Sequence, residues 1–358
     1  MLVLVQAYTK LNVGDDLFLH TIFSRYPDVD FEINVYDEFY ADYRRFVLAY
    51  RNVSVNNRHS LWYRIKRKMG IVGIDSSVIS KYDAVVHIAG SIFMENSENS
   101  EYDIIQEKEV DFFAGSSIPV YFLSCNFGPY YTQEYKKRKE NMFRKCADVC
   151  FRDKYSYELF AHLPNVRYAP DAVFSANIKP AYSRKNTLGI SVINLSVRPK
   201  LRKFATDYKN LIIKIAKNYL MDGYDVYLFA FCEFEGDTQA AQEIFETLIR
   251  YGVEDKVHII NYNGRLEGFL NTYLSMEQAV CTRFHSMVLS AAANMPMLPL
   301  IYSGKVSNVI YDLDLCSHVL QINDLWGNDE MNSPVNMRNI NRAANDTFEV
   351  LDKMLNDG

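Results

Sequence analysis

The chain has 358 residues, enough for two ordinary domains with their own cores, and its 49% apolar and 23% charged composition excludes a disordered or fibrous protein. A formal net charge of -5 gives no reason to expect nucleic acid as a partner. Six cysteines, at positions 125, 146, 150, 232, 281 and 316, form no C-x-x-C pair, which argues against a zinc site or a disulfide framework and for buried thiols in a reducing compartment.

Residues 2–7 form a continuous apolar run expected to be a buried strand of a parallel sheet, with neither the basic leader nor the cleavage pattern of a signal peptide. No window approaches the roughly 20 apolar residues of a membrane span, so the expected location is cytoplasmic. A polar loop, residues 12–16, then leads into a helix over 17–25. The loop lacks both G-x-G-x-x-G and G-x-x-x-x-G-K-[ST], the usual dinucleotide and nucleoside-triphosphate signatures. Asp15 has two readings, a helix cap or a group that binds or deprotonates a ligand hydroxyl, and Asp16 reads as a cap or a solvated acid.

A second strand is expected over 31–36 and a tyrosine-rich helix over 38–50. In residues 61–69, Arg64, Lys66, Arg67 and Lys68 crowd beside Trp62 and Tyr63. Such a cluster is a solvated helix face, a holder of a ligand's diphosphate, or a contact with anionic lipid. Further strands follow over 84–88, ending in Ala89, Gly90 and Ser91; over 119–123, followed by Asn126, Phe127, Gly128 and Pro129; and over 147–151, ending in Arg152 and Asp153. Gly128 frees the backbone of its turn to line a pocket, and Arg152 is expected to pair with Asp153 or Asp171. Pro170 and Asp171 close the first domain, and the polar, aperiodic residues 179–186 are the expected linker. Alternation then restarts: strand 188–194, helix 206–221, strand 225–231, helix 237–251, strand 257–260.

The most informative segment is 276–315. Here Arg283, His285 and Lys305 punctuate an otherwise apolar, small-residue-rich stretch. A strand ending at Cys281, a helix over 283–294 broken by Pro296, a strand over 297–302 and a helix from Gly304 make a strand, helix, strand, helix order. That order builds a parallel sheet, which binds ligands at the carboxyl ends of its strands. Arg283 and His285 at such an end, beside a helix start, suit a phosphate or carboxylate; equally, Arg283 pairs with a carboxylate and His285 caps or packs. Arg198, after the strand 188–194, is expected in the same crevice.

R-x-H at Arg283 and His285, a small-residue helix, then P-x-x-x-x-x-Y-x-x-K from Pro296 to Tyr302 and Lys305, resembles the signature of the polysaccharide pyruvyl transferase family. Further matching pieces occur in order: Asn12, Val13, Gly14 and Asp15; His87, Ile88, Ala89, Gly90 and Ser91; Asn126, Phe127, Gly128 and Pro129; Phe151, Arg152, Asp153 and Ser156; Pro170 and Asp171; Gly189, Ile190, Ser191 and Val192. Ala89 stands where the family tends to have a second glycine. The resemblance implies two Rossmann-like α/β domains with parallel sheets facing across a cleft, a GT-B-like fold. Residues 1–180 would form the acceptor side and 181–337 the donor side, with a helix over 338–354 returning to the first domain.

It also implies transfer of pyruvyl from phosphoenolpyruvate to two hydroxyls of one sugar, with no other cofactor and no metal. The product is a cyclic ketal of a cell-surface polysaccharide, exopolysaccharide or capsular. Donor binding then falls to Arg198, Arg283 and Lys305, and catalysis to His285 as acid, with Asp15 as the weaker candidate base. Acceptor binding falls to Asn12, Gly14, Asp15, Gly90, Ser91 and Asn126. The acceptor would be a sugar on a lipid-linked oligosaccharide, with peripheral contact at the inner face of the plasma membrane. A nucleotide-sugar-dependent GT-B glycosyltransferase and a non-catalytic sugar- or lipid-binding scaffold are the alternatives.

Overall fold

The computed structural model describes residues 1–57, 81–95, 101–176, 178, 182–324, 330–334 and 336–357; the basic and aromatic stretch 61–69 lies outside them. The chain forms two compact units. Unit 1 takes Met1–Thr9, Leu17–Ser175 and Arg342–Gly358, and unit 2 takes Lys10–Asp16 and Ala176–Asn341. The sequence expectation divided the chain near residue 180 and kept residues 10–16 with the first domain. Here the division falls between Ser175 and Ala176, and the short Lys10–Asp16 segment belongs to unit 2.

Unit 1 is built on a seven-stranded sheet: β1 (Leu2–Gln6), β2 (Asp30–Val35), β3 (Val53–Asn57), β4 (Ala84–Ile88), β5 (Val120–Cys125), β6 (Asp148–Phe151) and β7 (Val166–Tyr168). Their order is β3-β2-β1-β4-β5-β6-β7, every pairing parallel. All residues of β4, β5 and β6 are buried, the signature of strands covered on both faces. Helices Glu101–Gly115 and Gln133–Phe143 flank a core rich in Phe93, Phe122, Phe127, Phe143, Phe151 and Phe160. Phe143 meets Phe160 edge to face, with ring centres 5.0 Å apart at 88°. These rings are core, not a sugar-stacking platform.

The end of the chain completes this unit. Phe348 and Leu351 are fully buried, and Tyr26 packs edge-on against Phe348. Asp352, in helix Glu349–Asp357, accepts from Arg25 Nη2 at 2.7 Å and from Tyr26 Oη at 2.6 Å. Arg167, held by Asp148 at 2.7 Å, donates to the carbonyl of Thr347 at 2.6 Å.

Unit 2 carries a six-stranded sheet: β8 (Thr187–Val192), β9 (Asp225–Ala230), β10 (Val257–Asn261), β11 (Gln278–Cys281), β12 (Met297–Ile301) and β13 (Leu320–Gln321). The order is β10-β9-β8-β11-β12-β13, again all parallel. From β8 the chain builds outward through β9 to β10, then returns to the other side of β8 as β11. The loops after β8 and β11 therefore leave in opposite directions, and a crevice opens between them at the carboxyl ends. Helix Ala205–Met221 buries Tyr208, Leu211, Ile212, Ile215, Ala216 and Leu220, a helical stripe, against Leu188, Ile190 and Val192 of β8. No helix among the described residues is long and apolar enough to cross a membrane.

Because Phe348 is fully buried in unit 1, Phe348→Ala should cost about 3–5 kcal/mol of unfolding free energy in urea denaturation. An unchanged midpoint would show that the C-terminal segment is not part of the cooperative unit.

Candidate functional site

The site in unit 2 begins with how the turn after β11 is held. Arg283 has extended backbone (φ -75°, ψ 139°) and immediately precedes helix Phe284–Ala292. Ser191 of β8 accepts the backbone N–H of Thr282 at 2.9 Å and of Arg283 at 3.1 Å. Ser286 Oγ donates to the Arg283 carbonyl at 2.6 Å and lies 2.6 Å from Ser191 Oγ. Tyr273 Oη donates to the Ser286 carbonyl at 3.1 Å. Every one of these groups is a neutral hydroxyl, carbonyl or backbone N–H, so the turn is fixed without placing charge beneath it.

Arg283 is 8% exposed. Its guanidinium takes Asp237 in bidentate fashion, with Nε 2.8 Å from Oδ2 and Nη2 on Oδ1, and donates through Nη1 to Glu235 Oε2 at 2.6 Å. Arg198 Nη2 donates to that same Glu235 oxygen at 2.5 Å, and its guanidinium lies 5.9 Å from the ring centre of Tyr302. Thus Arg198 and Arg283, far apart in sequence, meet on one carboxylate. Of the two sequence readings of Arg283, the pairing with carboxylates is present. Burial alone would raise the Glu235 carboxyl, but the charges of Arg283 and Arg198 outweigh it and bring it down to about 2. Burial likewise works against the charge on Arg283, and Asp237 and Glu235 reverse that, holding it well above its ordinary value. Glu235 and Asp237 were not singled out from sequence. The signal was there in the run Glu233, Phe234, Glu235, Gly236, Asp237, an acidic cluster directly after a strand in a crevice expected to be basic.

His285 sits in the first turn of its helix and packs on Gly14: a Cβ at Gly14 would lie 2.0 Å from His285 Nδ1. Only glycine leaves room for the ring. The segment that brings Gly14 is tied to unit 2 by Val13 N–H to the Phe231 carbonyl (3.1 Å), by an antiparallel bridge between Asn12 and Cys232, and by Asn12 Nδ2 to Glu235 Oε1 (3.4 Å). The helix expected from residue 17 starts at Val13, because Asn12 Oδ1 accepts the Gly14 N–H at 2.9 Å and caps it. Asp15 and Asp16 therefore lie inside the first helical turn, where acids suit the helix dipole, and are not the cap. Asp16 is also not solvated: it is fully buried and accepts from Tyr262 Oη. Asp15 is half-buried beside Gly14. Lys305 is half-buried as the second residue of helix Gly304–Leu313, just beyond Tyr302 at the end of β12.

Gly90, Ser91 and Asn126 belong to a separate polar cluster in unit 1, at the carboxyl ends of β4, β5 and β6. Its centre is Arg152, 2% exposed, which donates to Asp171 at 2.8 Å and to Asn126 Oδ1 at 2.9 Å. Ser91 Oγ donates to the same Asn126 oxygen at 3.3 Å. A Cβ at Gly90 would lie 2.4 Å from Arg152 Nη2, so the close approach at this turn is to Arg152. Between the two expected partners of Arg152 the structure has Asp171; Asp153 instead caps helix Lys154–Glu158 through the Ser156 N–H at 2.9 Å.

The Glu235 carboxyl titrates near 2 when folded against 4.5 as its reference value, so its contribution is complete above about pH 4.5 and disappears as pH falls toward 2. With a side chain 25% exposed, that contribution is on the order of 3 kcal/mol. Glu235→Gln should therefore flatten the loss of stability between those pH values, read by urea midpoints in an acid series; an identical slope would exclude a charged, paired Glu235.

The fold has counterparts among solved structures. The UDP-GlcNAc 2-epimerase of Methanocaldococcus jannaschii superposes with a TM-score of 0.59 at 8% identity, covering 99% of this chain and 100% of that one. The UDP-GlcNAc 2-epimerase of Neisseria meningitidis bound to UDP-GlcNAc gives 0.55 at 10% identity (99% and 93%), and a glycosyltransferase of Rickettsia africae gives 0.52 at 7% identity (98% and 88%). At such identities the likeness is one of fold: two parallel-sheet α/β domains of the GT-B type. The family description "Polysaccharide pyruvyl transferase" matches residues 12–304, which run from the Asn12 cap through Arg198 and Glu235 to the turn before Lys305. With that match spanning most of its length, the chain belongs to the polysaccharide pyruvyl transferase family.

Proposed function

We propose that this protein transfers the pyruvyl group of phosphoenolpyruvate to two hydroxyls of one sugar, closing a cyclic ketal during assembly of an exopolysaccharide or capsular polysaccharide. The observation that carries the reading is the meeting of Arg198 and Arg283 on a single carboxylate, with His285 two residues beyond Arg283. A small donor bearing both a phosphate and a carboxylate needs several cations in one place, and guanidinium groups match both anions in geometry. Lys305 supplies a third cation in this reading. The UDP-GlcNAc in the Neisseria epimerase, a structural neighbour, supports a sugar-type substrate.

His285 as imidazolium gives a proton to the methylene carbon, which makes the adjacent carbon electrophilic. The first sugar hydroxyl bonds to that carbon and loses its proton, with Asp15 as the nearby acceptor. The carbon–oxygen bond to phosphate then breaks, the electron pair leaving with the phosphate toward Arg198, Arg283 and Lys305. The second hydroxyl bonds to the same carbon and closes the ring. One proton is added to carbon, two leave the hydroxyls, and one of these ends on the phosphate. The reading uses no metal and no cofactor.

Within unit 2, acceptor binding is assigned to Asn12, Gly14 and Asp15. Within unit 1, considered by itself, the residues assigned to acceptor binding are Gly90, Ser91 and Asn126. Gly90 and Asn126 serve this role through Arg152, which they seat. A lipid-linked oligosaccharide acceptor would bring a cytoplasmic protein to the inner face of the plasma membrane as a peripheral partner.

His285→Ala should lower acceptor-dependent phosphate release from phosphoenolpyruvate by roughly 100-fold or more with the fold intact. Normal turnover in that variant ends the proposal, and transfer from a nucleotide sugar without phosphate release would favour a glycosyltransferase. Gly14→Ala should also impair turnover and lower stability, since the new methyl collides with the ring at 2.0 Å. In the His285→Ala background the same change should be neutral or stabilising by up to about 1 kcal/mol, because alanine is the better helix former. Thermal unfolding of the four proteins in this cycle measures the coupling; strict additivity would remove Gly14 from the site.

A further inference from the structure

The two carboxylates that hold Arg283 differ in kind. Asp237 is fully buried in the first turn of helix Asp237–Leu248, also accepts the Cys232 N–H at 3.0 Å, and grips Arg283 along its Nε and Nη2 edge. It is built into the frame. Glu235 is a quarter exposed and lies in the single turn Glu233–Glu235, which ends at Gly236 with φ +84°. Its side chain bonds to Arg198, Arg283 and Asn12.

One oxygen of Glu235, Oε2, receives both Arg198 Nη2 (2.5 Å) and Arg283 Nη1 (2.6 Å), while Asn12 Nδ2 is 3.4 Å from Oε1. Two guanidiniums and an amide converging on one carboxylate are the recognition set for a carboxylate brought from outside. Among the described residues no hydrogen-bond acceptor meets Arg198 Nε, so that side chain holds a further donor in reserve.

We infer that Glu235 is an internal stand-in for the donor, its carboxylate filling the Arg198 and Arg283 site until the carboxylate of phosphoenolpyruvate displaces it, while Asp237 keeps Arg283 in position. This rests on the donor reading given above. Two consequences follow from the exchange. Without ligand, the half-buried Arg198 keeps a carboxylate partner and the buried Arg283 keeps a second one beside Asp237, which offsets the cost of desolvating it. With ligand, only a molecule that brings its own negative charge can replace what it removes, so a neutral sugar cannot open the site. Glu235 thereby sets both the affinity for the donor and its selectivity for anions.

The test is isothermal titration of phosphoenolpyruvate, and separately of inorganic phosphate, into wild type, Glu235→Gln, Glu235→Ala and Asp237→Asn, each checked for cooperative thermal unfolding. The two Glu235 variants should bind phosphoenolpyruvate roughly tenfold more tightly while melting at a lower temperature without ligand, and Asp237→Asn should bind roughly tenfold more weakly or worse. Should the larger changes fail to fold, Glu235→Asp, one methylene short of both guanidiniums, should show the same gain in smaller measure. Equal or weaker binding by the Glu235 variants overturns the inference, because Glu235 would then orient Arg283 as Asp237 does. The two readings fail separately. Arg283-dependent turnover of phosphoenolpyruvate with no gain in Glu235 variants keeps the donor and rejects the stand-in. Tighter phosphate binding in those variants, with no turnover of phosphoenolpyruvate by wild type, keeps the stand-in for anions and rejects the donor.

Discussion

The arrangement of unit 2 turns on the burial of one permanent charge, the Arg283 guanidinium. A group that is always protonated cannot escape burial by losing its proton, so its surroundings must supply negative charge and acceptors. Asp237 at the start of one helix and Glu235 in the preceding turn do so, and the backbone of Arg283 is pinned from below by Ser191. Once these positions are fixed, His285 follows two residues later, and the ring in turn requires a glycine on the segment it faces. A single desolvated cation thus dictates residues drawn from one strand and three separate loops.

Much of the fold was legible in the sequence. The buried stretches that became β4, β5 and β8 need no partner information, since strands covered on both faces read as largely hydrophobic runs, here interrupted only by His87, Ser124, Thr187 and Ser191. The edge strand β3, with sequence VSVNN, carries no such run and was not expected. Arg198, Arg283 and His285 could be placed at strand ends because the alternation of strand and helix fixes which end faces the crevice.

What the sequence did not yield were the partners. Glu235 and Asp237 lie after β9, and their relation to Arg283 depends on β9 and β11 flanking β8 in the sheet, a fact of strand order that no local pattern records. The same holds for Asn12 and Gly14: their helix cap is a local matter, yet their place beside His285 and Glu235 is set by long-range packing. Gly90 illustrates a further gap. A glycine at a strand end reads as room for a ligand, whereas the room is taken by the Arg152 side chain.

The composition of the two units from non-contiguous chain has a bearing on synthesis. Unit 1 is finished only by residues 342–357, although its seven strands all lie before residue 169. Unit 2 takes the Lys10–Asp16 segment, which must wait for some 270 further residues, about fifteen to fifty seconds of elongation at usual rates, before His285 exists to meet Gly14. Neither unit can therefore close in the vectorial, one-after-the-other manner of tandem domains. Until residue 285 is made the first-turn glycine stays uncovered, and until residues 342–357 are made the core of the first unit lacks Phe348 and Leu351, so each half carries a gap that only the other end of the fold can fill.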